Sequence, residues 1–444
     1  MIDRTLLSAL LVALVAAPAA HAAMFEAESF TLENGLQVVV LPNHRAPIAT
    51  QMVWYKVGAY EEIRGKTGLA HFLEHLMFRG TKETPAGAFS RIVAENGGRD
   101  NAFTTHDFTA YFQNVASDRL PLVMKLEAER MADLVIDDAV VVPERQVIIE
   151  ERHMRVDNNP SALFDEQLDA VLYQNQRPHD PVIGWESEMR GLETADAQAF
   201  YRAWYAPNNA VLVLAGDVTP ERARQLAEQY YGPIKPHELP SRVTLAEPPK
   251  VAATRLVMKS PRVAETRWSR AYLAPSYLSG ETRYAYALQV LEEVLGGGAS
   301  SRLYKGLVVD QGIALSAGAF YDPDTRSLAS FGFAATLKHD VPLADFEAKL
   351  EAIVKTALAD GVTADEVERA KSRMRTGAIF AQDSLSGPAR MVGEALAEGR
   401  SLEDVQSWPD RIGAVTLEQV NEAARLVIHD DFAVTGVLLP QPAS

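Results

Sequence analysis

The chain has 444 residues, with 43 Lys+Arg against 59 Asp+Glu and a formal net charge of −16. That length exceeds one ordinary hydrophobic core and suits two domains of roughly 200 residues each. A 47% hydrophobic, 23% charged composition argues against a disordered or fibrous chain. The acidic excess, with no Lys/Arg cluster, argues against a nucleic-acid partner, and the absence of cysteine excludes disulfides, thiolate metal sites and a Cys nucleophile.

At the N-terminus, Arg4 precedes an apolar run from Leu6 to Ala17, then Pro18 and the small-residue sequence Ala20-His21-Ala22. The pattern predicts a secretory signal over residues 1–23, cleaved after Ala22 or Ala23. About a dozen apolar residues fall short of the roughly 20 that a spanning helix needs, so no stable membrane anchor is expected. The mature chain is expected outside the cytoplasm, in the periplasm if the source is Gram-negative.

Phe30–Glu33 and Leu36–Val40 flank Asn34-Gly35, the pair that best tolerates a type I′ turn, and predict a hairpin. A strand over Thr50–Val57 and a helix over Gly68–Phe78 follow. Thr84-Pro85 reads as an N-cap with Pro at the first helical position, and Asn96-Gly97-Gly98 as that helix's end. Strands are expected near Asp100–Thr105 and Thr109–Val115, and helices over Arg119–Leu134, Pro143–Arg155 and Ser161–Tyr173. A buried strand, Ala210–Asp217, and a helix, Thr219–Tyr231, close this half.

Five prolines between Gly232 and Lys250 cannot continue a helix or a central strand, which makes 233–250 the best linker candidate. Beyond it the alternation repeats. Thr416–Val437 matches Thr194–Gly216 in character at an offset of 222 residues: a helix, a polar turn (Pro207-Asn208-Asn209 or His429-Asp430-Asp431), then a strand. The expected organisation is α+β, with two homologous domains over 24–232 and 251–440, each an antiparallel-rich sheet packed against helices.

The sharpest local feature is His71-Phe72-Leu73-Glu74-His75. On a helix, residues four apart stack on one face with Cβ atoms about 5–6 Å apart, so two imidazoles can reach one cation. Glu74 projects from nearly the same face and can take a proton from water held beside zinc. Leu69, Phe72, Leu73, Leu76, Met77 and Phe78 surround the polar triplet, and buried histidines beside a buried carboxylate are costly without a shared partner. A helix that merely carries two histidines and a glutamate is the plain alternative. A catalytic zinc wants a third protein ligand. The segment Pro143–Arg152 offers Glu144 and Glu151, seven apart and therefore on one helical face with Val147 and Ile148. Glu150 lies about 100° round and points to solvent. On the residues alone, Glu151 is favoured over Glu144 by a small margin.

The inverted H-x-x-E-H order resembles the inverzincin peptidases of the pitrilysin and mitochondrial-processing-peptidase family. In that family the third zinc ligand lies about 76 residues beyond the second His, which here is Glu151. Glu144 matches a second acidic position that supports the site. Gly68-Leu69-Ala70, Phe78-Arg79-Gly80-Thr81 and Asn101-Ala102-Phe103-Thr104 fit as well, and the resemblance spans nearly the whole mature chain. It implies half of a clamshell chamber and one Zn2+ per chain held by His71, His75 and Glu151. Glu74 is then general base and acid, and Asn101, Ala102, Phe103 and Thr104 form the sheet edge to which an extended peptide adds. Gly296-Gly297-Gly298 lacks the spacing and Lys of a phosphate loop and reads as a helix terminator.

One departure stands out. The family carries an Arg and, seven residues later, a Tyr in its C-terminal half, which bind substrate and polarise the scissile carbonyl; Val308 and Leu315 occupy those positions here. The resemblance therefore implies the zinc-bearing endopeptidase subunit of a heterodimer, whose homologous, non-catalytic partner supplies the missing pair. A homodimer would leave every site without it. The competing reading is a non-catalytic assembly or scaffold subunit of the same fold.

Overall fold

The structure is a computed structural model that describes residues 24–384 and 386–441; the expected signal over residues 1–23 lies outside the described residues. The apolar runs form two sheets. The first contains β1 (Glu28–Thr31), β2 (Gln37–Pro42), β3 (Ile48–Tyr55), β4 (Arg99–Thr104), β5 (Thr109–Ala116) and β6 (Ala210–Gly216), in the order β1-β2-β6-β3-β5-β4. The second contains β7 (Thr254–Ser260), β8 (Arg267–Ala274), β9 (Ala314–Tyr321), β10 (Ala329–Leu337) and β11 (Val434–Pro440), in the order β7-β11-β8-β10-β9. Pairs β2–β6 and β7–β11 are parallel and the rest antiparallel, so β2-β6-β3-β5-β4 and β7-β11-β8-β10-β9 share one topology. The class is α+β. Strand β6 is buried at every position because both sheet faces are covered, which accounts for its unbroken apolar run.

The two halves exchange helices. One face of the first sheet packs on helices Leu69–Leu76, Leu120–Asp133, Thr194–Trp204 and Pro220–Tyr230, all from its own half. Its other face, through Val39, Trp54, Val211 and Val213, packs on Ala389, Val392, Ala395 and Leu396 of helix Gly387–Glu398. In return, helix Pro160–Leu172 lays Leu168, Leu172 and the following Tyr173 against Val434, Ala271 and Leu273 of the second sheet. Residues 235–253 carry no helix or strand between the halves. They follow the first half closely, Glu247 accepting the backbone N–H groups of Asn175 (3.0 Å) and Gln176 (2.7 Å).

Several boundaries differ from the sequence expectation. Thr31 pairs with Gln37, which leaves a five-residue loop instead of a two-residue turn; only Gly35 has positive φ (86°), whereas a type I′ turn needs two such residues. Asn34 is occupied elsewhere, donating through its side chain to the carbonyls of Tyr231 (2.8 Å) and Ile234 (2.9 Å). Thr84 caps nothing: its hydroxyl donates to Glu129 (2.8 Å), and the helix starts at Ala88. The helix expected over Pro143–Arg155 begins at Asp138, because Asp137 accepts the N–H of Val140 (3.2 Å), and Pro143 sits inside it. It ends at Arg152 and passes into a π-turn over His153–Asp157.

Gly393 marks the tightest point of the helix exchange. A Cβ there would lie 2.0 Å from Nε1 of the fully buried Trp54. Gly377, in helix Ala364–Ala381, has nothing within 4 Å of the same position. The same substitution is therefore expected to act in opposite directions. Gly377→Ala raises stability by about 0.5–1 kcal/mol through helix propensity, whereas Gly393→Ala lowers it by about 1–3 kcal/mol through overpacking. Urea unfolding of both variants checks this, and a Gly393→Ala midpoint at or above wild type contradicts the packing described.

Candidate metal centre and active site

The motif helix, Leu69–Leu76, starts at Gly68, whose φ of 82° only glycine adopts without strain. A Cβ on Gly68 would also meet the carbonyl oxygen of Ile183 at 2.5 Å. The first turn is capped from a distance: Glu62 accepts the backbone N–H of Gly68 (3.1 Å) and of Ala70 (2.8 Å). Burial pushes the Glu62 carboxyl well above the usual carboxylate range, against the pull of these two donors. Leu69, Phe72, Leu73 and Leu76 anchor the helix in the core, and His71 and Glu74 are buried with them.

Helix Asp138–Arg152 packs beside it, burying Val141, Ile148 and Ile149 together with Glu144. The structure brings His71, His75 and Glu151 together. Glu151 Oε2 lies 3.0 Å from His75 Nε2 and 3.7 Å from His71 Nε2, and one ligand atom from each residue falls within 4.8 Å of the others. Glu144 stands behind this group, its Oε1 2.9 Å from His75 Nδ1 and its Oε2 paired with Arg79. The two glutamates on one helical face thus take different places, one at each nitrogen of the His75 ring. Glu150 is turned away, its side chain 71% exposed.

Electrostatics separate the two imidazoles. Burial, with His75 alongside, pushes His71 down to about 4. Burial also opposes charge on His75, but hydrogen bonds to Glu144 and Glu151 outweigh it and raise that ring to about 9. Glu151 is held below the usual carboxylate range by its hydrogen bond with His75. Burial pushes the Glu74 carboxyl up, against the Thr104 hydroxyl that donates to its Oε2 at 2.5 Å.

Strand β4 is one of the two edge strands of the first sheet, the other being β1. Its side chains alternate: Thr104 and Ala102 face the motif helix, while Phe103 packs edge-on against Trp54 and Phe108 on the other face. Asn101 accepts the next residue's N–H (2.9 Å) within the strand. A cleft of about 390 Å³ beside this edge is lined by Glu74, His75, Phe78, Arg79, Ser90, Asp100, Asn101 and Glu144. Two contributors escape sequence reading. Glu62 lies outside any periodic element, so nothing local marks it as a cap. Arg155, whose Nη1 is 2.8 Å from Glu151 Oε1, does carry a signal, the i,i+4 Glu–Arg spacing.

The donor set fits a metal. His71 Nε2 faces Glu151 at 3.7 Å, too long for a hydrogen bond. Two imidazoles and one carboxylate facing a common point, next to an open cleft, match the ligand set and open position of a catalytic zinc site. Such a centre, on the inner helix of one of two topologically matched sheets, defines a zinc-dependent protease. Residues 37–185 match the model described as insulinase (peptidase family M16), and residues 191–374 the model described as the peptidase M16 inactive domain. The zinc protease PqqE of Helicobacter pylori is 30% identical over 406 residues, covering 91% of this chain and 90% of that protein. An uncharacterized zinc protease of Mycobacterium tuberculosis is 31% identical over 92% of both chains. The crystal structure of a protease from Helicobacter pylori aligns with a TM-score of 0.86 at 28% identity, over 94% of this chain and all of that one. Half of the periplasmic protease PqqL from Escherichia coli (47% of its chain) shares the fold, with a TM-score of 0.78 at 19% identity. The chain belongs to peptidase family M16 and is a zinc protease of that family.

Because hydrogen bonds to Glu144 and Glu151 raise His75 to about 9, it carries a proton at neutral pH that a cation has to displace. Zinc binding at pH 7 is expected to release about one proton per ion. Apparent affinity then rises about tenfold per pH unit between pH 6 and 8. Calorimetric titrations in buffers of different ionisation enthalpy measure this; zinc uptake with no proton release contradicts it. Glu144→Ala is expected to weaken zinc binding about 10–100-fold, since it removes the group orienting His75.

Proposed function

We propose that this chain is the zinc-bearing catalytic subunit of a heterodimeric endopeptidase that cleaves short or unfolded peptides inside a closed chamber. It comprises two homologous domains, 24–232 and 251–440, joined by 233–250, and acts after export and removal of residues 1–23. His71, His75 and Glu151 hold one Zn2+, Glu144 fixes the His75 ring, and an extended peptide adds to the edge Asn101–Thr104.

The convergence of His71, His75 and Glu151 beside the buried Glu74 carries this reading. When bound, zinc supplies a Lewis acid that polarises the scissile carbonyl and makes nearby water easier to deprotonate. Glu74 accepts the proton of the attacking water and returns it to the leaving amine; its raised affinity for protons suits the first half of that task. Thr104 holds the carboxylate in place from the strand that receives the substrate. Backbone pairing along β4 grips a peptide with little regard to its side chains, which suits a broad range of unfolded substrates. A heterodimer is favoured by what stands at 308 and 315. Val308 packs against the core of the second half and Leu315 is 51% exposed on β9, and neither can donate a hydrogen bond to a developing oxyanion.

Glu74→Gln is expected to keep the zinc and lose hydrolysis by about 10²–10⁴-fold; retained turnover removes Glu74 from the role. Adding the homologous partner is expected to raise kcat/KM by at least about 100-fold, the worth of one oxyanion donor. High activity of the isolated chain contradicts the heterodimer. Absence of both zinc and cleavage, with the partner present, favours the scaffold alternative.

A further inference from the structure

Two residues past Glu151 the chain widens into the π-turn His153–Asp157, which brings His153 and Asp157 to the same side as Glu186 of the short helix Glu186–Met189. His153 Nε2 lies 3.5 Å from Glu186 Oε2 and 3.8 Å from Asp157 Oδ2. Asp157 stands beyond hydrogen-bond reach of the ring and Glu186 at its outer limit, and one ligand atom from each residue falls within 4.8 Å of the others, as in the catalytic group. We propose that His153, Asp157 and Glu186 form a second divalent-cation site for a borderline ion such as Zn2+.

The His153–Glu186 separation of 3.5 Å is that of co-ligands, and the 3.8 Å to Asp157 is slightly wider. Bonds of about 2.0–2.2 Å to one tetrahedral ion place neighbouring ligand atoms about 3.3–3.6 Å apart. The competing cations leave the facing atoms available. Arg190 is engaged with the other carboxylate oxygen of Glu186. Arg152 is committed to Glu166 through two hydrogen bonds (2.8 and 3.0 Å) and stands 3.5 Å from Asp157 Oδ1. Glu150 lies 3.7 Å from the other ring nitrogen, where a carboxylate can orient the imidazole. One imidazole and two carboxylates, each about one-third exposed, hold zinc less tightly than the buried catalytic set and favour it over Mg2+ or Ca2+.

The position gives occupancy a consequence. Arg262, from the second half of the chain, donates to the carbonyls of Asn158 (2.8 Å) and Asp157 (3.3 Å), so the π-turn is already a point where the halves meet. A bound ion would tie that turn to Glu186 and fix the end of the helix that carries Glu151.

Chelator-treated mature chain titrated with Zn2+ alone is expected to take up two equivalents, the second more weakly. His153→Ala and Asp157→Asn are each expected to lose the second equivalent and keep the first. Thermal unfolding in EDTA should match wild type, and the rise in Tm that wild type shows beyond one equivalent should vanish in both variants. A single equivalent in wild type overturns the proposal, as does a second equivalent unaffected by either substitution. Loss of the first equivalent in wild type is a separate outcome that overturns the catalytic assignment instead.

Discussion

The structure depends on gathering two imidazoles and three carboxylates at the seam of two packed helices. Uncompensated, such a cluster opposes folding, because each ionised group loses water without gaining a fixed partner. Here each carboxylate has an assignment: Glu151 between the two histidines, Glu144 between His75 and Arg79, Glu74 under the Thr104 hydroxyl. The ring nitrogen that faces Glu151 without a hydrogen bond, His71 Nε2 at 3.7 Å, points to where a cation belongs. Function and local instability share one origin. The charge in the core belongs to the donor set that fits an ion.

The rest of the fold serves to hold those two helices in register. Glu62 fixes the start of the motif helix by capping its first turn, the first sheet gives it a floor, and β4 brings Thr104 to Glu74. The second half contributes by covering the outer face of the same sheet with helix Gly387–Glu398, while helix Pro160–Leu172 returns the contact. Two similar sheets that each borrow a helix from the other cannot separate without exposing apolar faces on both. This ties the repeat seen in the sequence to the stiffness that a pre-arranged metal centre requires.

Much of this was legible beforehand where the signal is local and periodic. His71, Glu74 and His75 declare themselves by spacing within one helical turn, and strand β6 by an unbroken apolar run. The choice between Glu144 and Glu151 was only half legible, since both lie on the same helical face; the distances to the two nitrogens of His75 separate them. What depends on distant partners was not legible. Thr84 looks like a helix cap but bonds Glu129, Asn34-Gly35 looks like a tight turn but Asn34 reaches Tyr231, and Glu62 caps a helix from outside any periodic pattern. The helix exchange has no signature in composition, because an amphipathic helix does not record which sheet it covers.

X-ray absorption at the zinc K-edge, on protein loaded with one equivalent, tests the central claim most directly. The account predicts a shell with two imidazole nitrogens at about 2.0–2.1 Å and oxygen making up the remainder, reduced to one imidazole in His75→Ala. An oxygen-only shell, or a spectrum unchanged by that substitution, would contradict it.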